Sequence, residues 1–521
     1  MQVPSKIYDF FDNRLSPTLV RDIRQLVRNR FITVMLNLYL LILTLGTLMT
    51  ITTQSIQSRL EGAGEWLYGF DIIFFFIFTF IVVNLYTAVI MSQERITNDL
   101  MFTSTIKPSG FVFGKLSSAL VLTGMLFCVT LPFITIAYML RGIDLQTIVQ
   151  TCFVIGLMLL LSLSTTILVF CRTKTYVMMI GLLILYAILS CIGIYMFLGG
   201  LYFYMLGPML GIGFTVTWWQ FALGGLFVLL TVLVILSGAI SRVAAASTNR
   251  MMPFRITYTL YLLVTLGGAF LIELFSMGLS TPWSGLPVSM VFVHYFFFLA
   301  MIVISTCGRD NWGPRIKRMI PRNLLLRFVL FPFYSGAING VVWLFLIAGI
   351  LLGGFFLSLT FVSGGRLLDP SDINSVLLYG STWAVMTYAF CTLAMVIRAK
   401  LLRRHLAAEH TWLLAVAIFG TFYSIYYVIR VLLTENRGLY NFYFETDTIE
   451  RTMLIALIWA GFATILFFPW ALQRLPNFTP RIGEREMTYE KAKSLIDRLL
   501  PNSETPSPEG MTSYVDKTDS E

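Results

Sequence analysis

The chain has 521 residues, of which 57% are hydrophobic and 12% are charged, and its formal net charge is +10. Many stretches of about 20 residues lack any charge, which is the length that spans a hydrocarbon core, so the composition excludes an ordinary soluble protein. Backbone groups in lipid must pair within their own segment, and these stretches are therefore predicted to be helices. The expected fold is an all-α polytopic membrane protein of about twelve transmembrane helices.

The twelve predicted spans could form two divergent six-helix halves. They are 31–52, 68–91, 117–140, 147–170, 176–196, 217–240, 256–277, 286–306, 333–360, 376–397, 411–430 and 452–473. This division gives a cytosolic connecting helix in 1–30, one six-span half in 31–245, another in 246–473, and a partly disordered cytosolic tail in 474–521.

The orientation follows from the distribution of lysine and arginine between the loops. With the N-terminus inside, the predicted outer loops hold only six of the 37 basic residues: Arg59, Arg141, Arg366, Arg430, Arg437 and Arg451. Both termini are therefore expected in the cytosol. The expected location is the bacterial cytoplasmic (inner) membrane. Topology and anionic inner-leaflet lipid account for the positive charge, so no nucleic-acid partner is expected.

A basic amphipathic helix is predicted in "LVRDIRQLVRNRF", just before the first span. Its apolar face comprises Leu19, Val20, Ile23, Leu26 and Val27. Its membrane-surface residues are Arg21, Arg24 and Arg28. Such a helix is expected to lie in the membrane interface, with its arginines at the phosphates of anionic lipid.

The segment "ERITNDLMFTSTIKPSGFVFGK" between the second and third spans ends in a near miss of a phosphate-binding loop. Three residues, where that loop needs four, separate Gly110 from Gly114, and Leu116 stands where a hydroxyl residue is required after Lys115. No catalytic residue and no ATP hydrolysis are therefore predicted for this chain.

The same segment is expected to form a short helix lying against the membrane. Met101 and Phe102 would face the protein, whereas Glu94, Arg95, Asp99 and Lys107 would face outwards. Pro108 and Gly110 are predicted to break this helix, and Gly114 with Lys115 to open the third span.

Ionisable residues are rare in the predicted spans. Asp71 and Glu273 lie near outer ends, where water is expected to reach them, and His294 lies deeper. Each is interpreted as an interfacial or hydrogen-bonded residue rather than an ion-coupling site. The six cysteines show no metal-ligand spacing, so no metal site is predicted. Because the third to sixth spans contain no Asp, Glu, Lys or Arg, any transport energy is expected to come from another chain.

Residues 16–240 resemble the permease subunit of type-2 ATP-binding-cassette exporters. The resemblance rests on Glu94-Arg95, Asp99-Leu100, Ser104-Thr105, Pro108 and Gly114-Lys115, together with the amphipathic segment before the first span. The family's Gly-Thr-Leu-Glu run is only partly matched, by Thr97-Asn98-Asp99-Leu100, and the proline comes later than usual.

This resemblance implies that the loop carries a coupling helix that docks on a separate cytosolic ATPase. That partner would hold ATP and magnesium, and this chain would bind no cofactor itself. The implied coupling residues are Glu94, Arg95, Asp99, Met101, Phe102, Lys107, Pro108, Gly114 and Lys115.

A second basic loop, "GRDNWGPRIKRMIPRNLLLR", follows the eighth predicted span. If the second half is a divergent repeat, one chain is a pseudo-dimer and this loop is a second coupling loop; topological charge alone explains it equally well. Its candidate residues are Arg309, Asp310, Pro314, Arg315, Arg318, Pro321 and Arg322.

Three other classes stay open. A secondary carrier of the major-facilitator type also has twelve spans, although its loop motif after the second span is missing. A membrane glycosyltransferase could use Glu61, Glu65 and Asp71, although their loop is short. A non-transporting scaffold could recruit an ATPase for signalling or envelope mechanics. If the chain is a transporter, the scarcity of charge in the spans favours an amphipathic or apolar cargo.

The topology can be tested with reporter fusions. A reporter fused after Gln473 should score as cytosolic and one inserted at Gly364 as external, because of the charge asymmetry between the loops. The opposite result at either position would overturn the twelve-span map and the cytosolic assignment of the 94–115 segment.

Overall fold

The structure is a computed structural model that describes most of the membrane-embedded chain. The described residues are 17–57, 63–94, 107–140, 143–171, 218–245, 248–276, 286–306, 308, 312–362, 370–402, 411–433, 446–474 and 478. They form the helices α1 Pro17–Arg28, α2 Arg30–Gln57, α3 Ala63–Glu94, α4 Pro108–Met139, α5 Leu145–Phe170, α6 Trp218–Val243, α7 Met252–Ser276, α8 Leu286–Thr306, α9 Pro314–Met319, α10 Leu324–Leu330, α11 Ala337–Val362, α12 Pro370–Lys400, α13 Thr411–Leu433 and α14 Thr446–Arg474, with a 3₁₀ turn at Phe331–Phe333.

Nine helices in the described part of the chain contain stretches long and apolar enough to cross a membrane. These stretches are Arg30–Thr52, Gly64–Met91, Pro108–Met139, Leu145–Phe170, Ala222–Val243, Met252–Ile272, Ala337–Phe355, Ser381–Lys400 and Ala456–Gln473. The predicted all-helical, multi-pass architecture is thereby confirmed.

The count of twelve spans stays a prediction. Helices α8 and α13 coincide with two predicted spans, but their apolar stretches are shorter, at Val293–Thr306 and Thr411–Phe422. The predicted span 176–196 lies outside the described residues.

Apolar packing gathers mainly into two cores. Helices α1 to α6 enclose the first, around Tyr39, Tyr68 and Phe75, and helices α6, α7, α8, α11, α12 and α13 enclose the second, around Tyr258 and Trp343. Helix α6 contributes to both and packs directly on α7. The packing joins two groups of helices, and whether they are copies of one repeat stays a prediction.

Polar side chains link the helices of the first core. Tyr39 on α2 donates to Thr130 Oγ1 on α4 over 2.6 Å, since Thr130 uses its own proton on a backbone carbonyl. Asn84 on α3 donates to Ser162 Oγ at 2.9 Å and accepts from Thr166 Oγ1 at 2.8 Å, both on α5. Lipid is as apolar as a leucine core, so such hydrogen bonds help to specify which helices pair.

Close backbone approach fixes α11 against α8. A Cβ at Gly340 would lie 2.7 Å from the Ser305 carbonyl oxygen and 2.9 Å from the Arg255 guanidinium. The chain enters α11 through Gly336, whose φ of 148° side-chain-bearing residues rarely adopt. Glycine at these two positions therefore permits the start of α11 to sit against α7 and α8.

Replacing Gly340 by alanine should destabilise the protein by about 1–3 kcal/mol, because the backbone carbonyl of Ser305 cannot move aside cheaply. The matched control is Gly349→Ala on the same helix, where an added Cβ meets nothing within 4 Å. That change should be neutral or stabilise by up to about 1 kcal/mol. Thermal unfolding in detergent measures both; equal effects would contradict the packing described.

Candidate functional site

A buried ion pair joins α1 to α4. Lys115 Nζ lies 2.7 Å from Asp22 Oδ2, and the two side chains are 2% and 1% exposed. The second oxygen, Asp22 Oδ1, accepts from the Arg21 guanidinium at 3.3 Å, while Arg21 itself reaches solvent. The Lys115 ammonium also lies 5.7 Å from the centre of the Phe111 ring. Both charges of the pair are thus compensated inside the protein.

Lys115 reaches Asp22 because α4 begins earlier than the sequence predicted. Pro108 occupies the first turn of α4 and Lys107 is its N-cap, with φ −70° and ψ 142°. Proline is well suited to that first position because it lacks the N–H that a helix start leaves unsatisfied. The third span was expected to begin at 117, and this was wrong, since Gly110, Gly114 and Lys115 all lie inside the helix.

The predicted connecting helix is present as α1, but its faces differ from the expectation. Leu26 is buried and Arg21, Arg24 and Arg28 are exposed, as predicted, whereas Val27 is 67% exposed. Asp22 was not predicted as a site residue, because the basic pattern of this segment indicates only its arginine face. Its position four residues before Leu26 places it on the buried face, and a buried carboxylate requires a partner.

The loop that was predicted to contact an ATPase connects α3 to α4, and the structure describes only the two helix ends. Helix α3 ends at Glu94 and α4 begins at Pro108, with Lys107 exposed beside it. Gly114 and Lys115 are buried, so Lys115 presents its charge to Asp22 rather than to a surface. The expected contact residues Arg95, Asp99, Met101 and Phe102 lie outside the described residues.

The intramembrane residues divide into two cases. His294 is buried and hydrogen-bonded, as predicted: Nδ1 donates to the Met290 carbonyl at 2.7 Å, and Nε2 lies 2.8 Å from Thr265 Oγ1, whose hydroxyl also reaches the Tyr261 carbonyl. Asp71 was expected within reach of water, and this was wrong. It is fully buried in α3, and its two carboxylate oxygens have no hydrogen-bond partner in the part of the chain described. The Glu273 side chain lies outside the described residues.

The second basic loop begins beyond α8. Its predicted residues Arg309 and Asp310 lie outside the described residues, Pro314 opens α9, and Pro321 separates α9 from α10. Three further predicted residues are exposed, namely Arg315, Arg318 and Arg322. On the opposite side of α9, Ile316 and Ile320 are buried among Trp312, Tyr334 and Phe478.

Arg255, a buried residue that was not predicted as a site residue, connects this loop to the helix bundle. Arg255, in the first turn of α7, donates to the carbonyl oxygens of Pro332 at 2.8 Å, Tyr334 at 2.5 Å and Gly336 at 3.1 Å. These carbonyls belong to the connection between α10 and α11, where buried backbone acceptors need donors; the Gly336 carbonyl also accepts from the Gly340 amide at 3.0 Å. The position of Arg255 directly before the predicted span 256–277 is the sequence feature that could have indicated it.

Comparisons of the chain with protein-family models, curated proteins and solved structures found no match. Within the described ranges, no group of three or more His, Cys, Asp or Glu side chains is placed to hold a metal ion. Function can therefore be inferred only from the geometry above and from the resemblance of residues 16–240 to a permease family.

Breaking the buried pair on one side should destabilise the fold strongly. Lys115→Met leaves the Asp22 carboxylate buried beside Arg21 alone, which should cost about 3–5 kcal/mol. Combining it with Asp22→Leu removes the stranded charge and should recover most of the loss. Arg24→Met, at an exposed position on the same helix, should change stability by less than about 0.5 kcal/mol. Thermal unfolding in detergent gives the three values, and additive losses in the double variant would show that no such pair forms.

Proposed function

We propose that the protein is the membrane-spanning permease subunit of an ATP-binding-cassette transporter. A separate cytosolic ATPase would bind ATP and magnesium, and its hydrolysis would drive export of a substrate through the helices. The chain would hold no cofactor and perform no catalysis itself. Its location would be a bacterial inner membrane, with both termini in the cytosol and no nucleic-acid partner.

The observation that supports this proposal most directly is the ion pair between Asp22 and Lys115. It ties the amphipathic helix before the first span to the beginning of α4, immediately after the polar segment 95–106. The resemblance assigns the loop before α4 to the contact with the ATPase and likens α1 to the family's connecting helix. A buried, charge-assisted contact would let a displacement of that segment move α1 and α4 together.

The exposed side of α1 would meet the membrane surface. Arg21, Arg24 and Arg28 are all exposed and lie at the start of the first span, where anionic lipid phosphates are available. The transport unit would be one chain acting as a pseudo-dimer or two chains acting as a dimer. The apolar spans favour an amphipathic or apolar cargo such as a lipid, a peptide or a hydrophobic small molecule.

One observation favours a second candidate, an ion-coupled secondary carrier. Asp71 is fully buried, and its two carboxylate oxygens have no hydrogen-bond partner among the described residues. An ionisable residue inside a membrane span marks an ion or proton pathway by default. A carrier of this kind would need no ATPase. The two candidates therefore differ in their energy source, which can be measured.

The test reverses two charges in the segment that would meet the ATPase. Arg95→Glu together with Asp99→Lys should release or uncouple the partner, because breaking a partly desolvated interfacial charge pair costs about 2–5 kcal/mol. Co-purification of a cassette ATPase from detergent and its ATP hydrolysis rate are the measurements. Charge reversal at Arg141, in a predicted outer loop, is the control and should change neither.

Transport into purified vesicles completes the test. The proposal expects substrate movement only with the ATPase and ATP present. Movement driven by a proton gradient alone would contradict it and support the carrier built on Asp71. ATP hydrolysis that no candidate cargo stimulates, without any transport, would instead indicate a scaffold.

A further inference from the structure

In the described part of the chain, α10 contacts protein through Leu330, which packs against the buried cluster around Trp312 and Phe478, and through Arg327. None of its residues is buried, and five of its large apolar side chains are between 49% and 81% exposed. These side chains are Leu324, Leu325, Leu326, Phe328 and Val329. At about 100° per residue they span an arc of about 200° of the helix circumference, and Arg327 and Leu330 lie on the remaining side. An exposed apolar face of this width belongs in a hydrophobic medium, not in water.

The one charged side chain of α10 is turned back onto the preceding chain. Arg327 donates from Nε to the Pro321 carbonyl and from Nη2 to the Arg322 carbonyl, each at 3.4 Å. Asn323 caps the helix start by accepting from the Leu325 amide at 3.2 Å. The polar groups of the helix are therefore directed towards its N-terminal end, and the rest of its surface is apolar.

The residues just before α10 carry only positive charge. Residues 312 to 336 contain no Asp or Glu. Their basic residues are Arg315, Lys317, Arg318, Arg322 and Arg327. Arg315 and Arg322 are exposed, whereas Ile316 and Ile320 on the same short stretch are buried. An exposed apolar segment next to a segment with exposed arginines fits the order of acyl chain and anionic headgroup across a leaflet.

The position of this segment is fixed by the protein and not by the lipid. Tyr334 donates to the Met319 carbonyl, Trp312 donates to the Ser335 carbonyl at 2.9 Å, and Phe478 packs edge-on against Trp312 at 5.3 Å between ring centroids. Arg255 holds the connection that follows α10. The cationic turn and α10 therefore form a preorganised surface that continues directly into the span of α11.

From these observations we infer that α9, α10 and the turn between them form a binding site for anionic phospholipid. Arg315 and Arg322 contact the headgroup phosphate, and the apolar side chains of α10 lie among its acyl chains. The apolar face of α10 leads into the membrane span of α11, and the exposed side chains next to it are cationic, so a molecule with acyl chains and an anionic headgroup matches both. This site is separate from the arginines of α1, and it assigns the second basic loop to the membrane instead of to an ATPase. It holds whether or not the proposed transport function is correct.

Photo-crosslinking identifies what covers α10. A benzophenone amino acid replaces Phe328, or, in the control protein, Phe345, which is 58% exposed in the middle of the α11 span. In native membranes both positions should yield phospholipid adducts by mass spectrometry. A predominant adduct at 328 with another protein, or with a second copy of this chain, would overturn the inference.

The headgroup preference is measured in vesicles of phosphatidylcholine containing a minority of phosphatidylglycerol. Phosphatidylglycerol adducts at 328 should exceed its bulk fraction about threefold or more, since each basic residue near an anionic surface favours binding severalfold. Adducts at 345 should follow the bulk composition. Bulk composition at 328 in the wild-type sequence would refute a specific site.

Matched charge removal separates this site from general surface electrostatics. Arg315→Gln with Arg322→Gln should return the adducts at 328 to the bulk composition. Arg30→Gln with Lys400→Gln removes the same charge from two other exposed positions and should leave the enrichment unchanged. An equal loss in both double variants would show that only the net charge of the protein matters.

Discussion

The buried ion pair between Asp22 and Lys115 is the constraint on which the first half of the molecule depends. Burying two charges costs free energy, which their mutual attraction offsets only at short distance. The pair is therefore stable only while α1 packs against the start of α4. Arg21 and the Phe111 ring complete the surroundings of the pair. The geometry therefore couples a helix before the first span to the residues just after the loop that would meet a motor.

The connection from α10 to α11 also contains buried polar groups that need partners, and there a different kind of contact supplies them. This connection, in the second half of the chain, is irregular, and its carbonyl groups would be costly to bury without donors. Arg255 supplies several donors at once, and Asn339 Nδ2 donates to the Phe331 carbonyl at 2.6 Å. In this half a cation therefore serves backbone carbonyls, whereas in the first half it serves a carboxylate. In both places a buried cation satisfies buried oxygen acceptors, but the residues involved differ.

Hydropathy and helix signals predicted most of the fold but little of the site. Long apolar stretches are a local property, so the helices were foreseeable, and the arginines of α1 are exposed as their spacing indicated. The predicted start of α4 was wrong because Pro108 begins the helix in its first turn and Gly110 and Gly114 are accommodated inside it. The pairing of Asp22 with Lys115 spans 93 residues of chain, and the burial of Asp71 depends on neighbouring helices, so neither could be derived from local pattern.

The central claim is that the ion pair holds α1 onto α4, and hydrogen exchange of the α1 backbone tests it most directly. In the wild-type protein the amides of Pro17–Arg28 should be protected to a degree similar to those at the start of α4. In Lys115→Met they should exchange about 100-fold faster, since about 3 kcal/mol of the opening free energy is lost, while α7 and α11 keep their protection. Unchanged exchange in α1 of that variant would contradict the account, because the helix would then be held by something other than this pair.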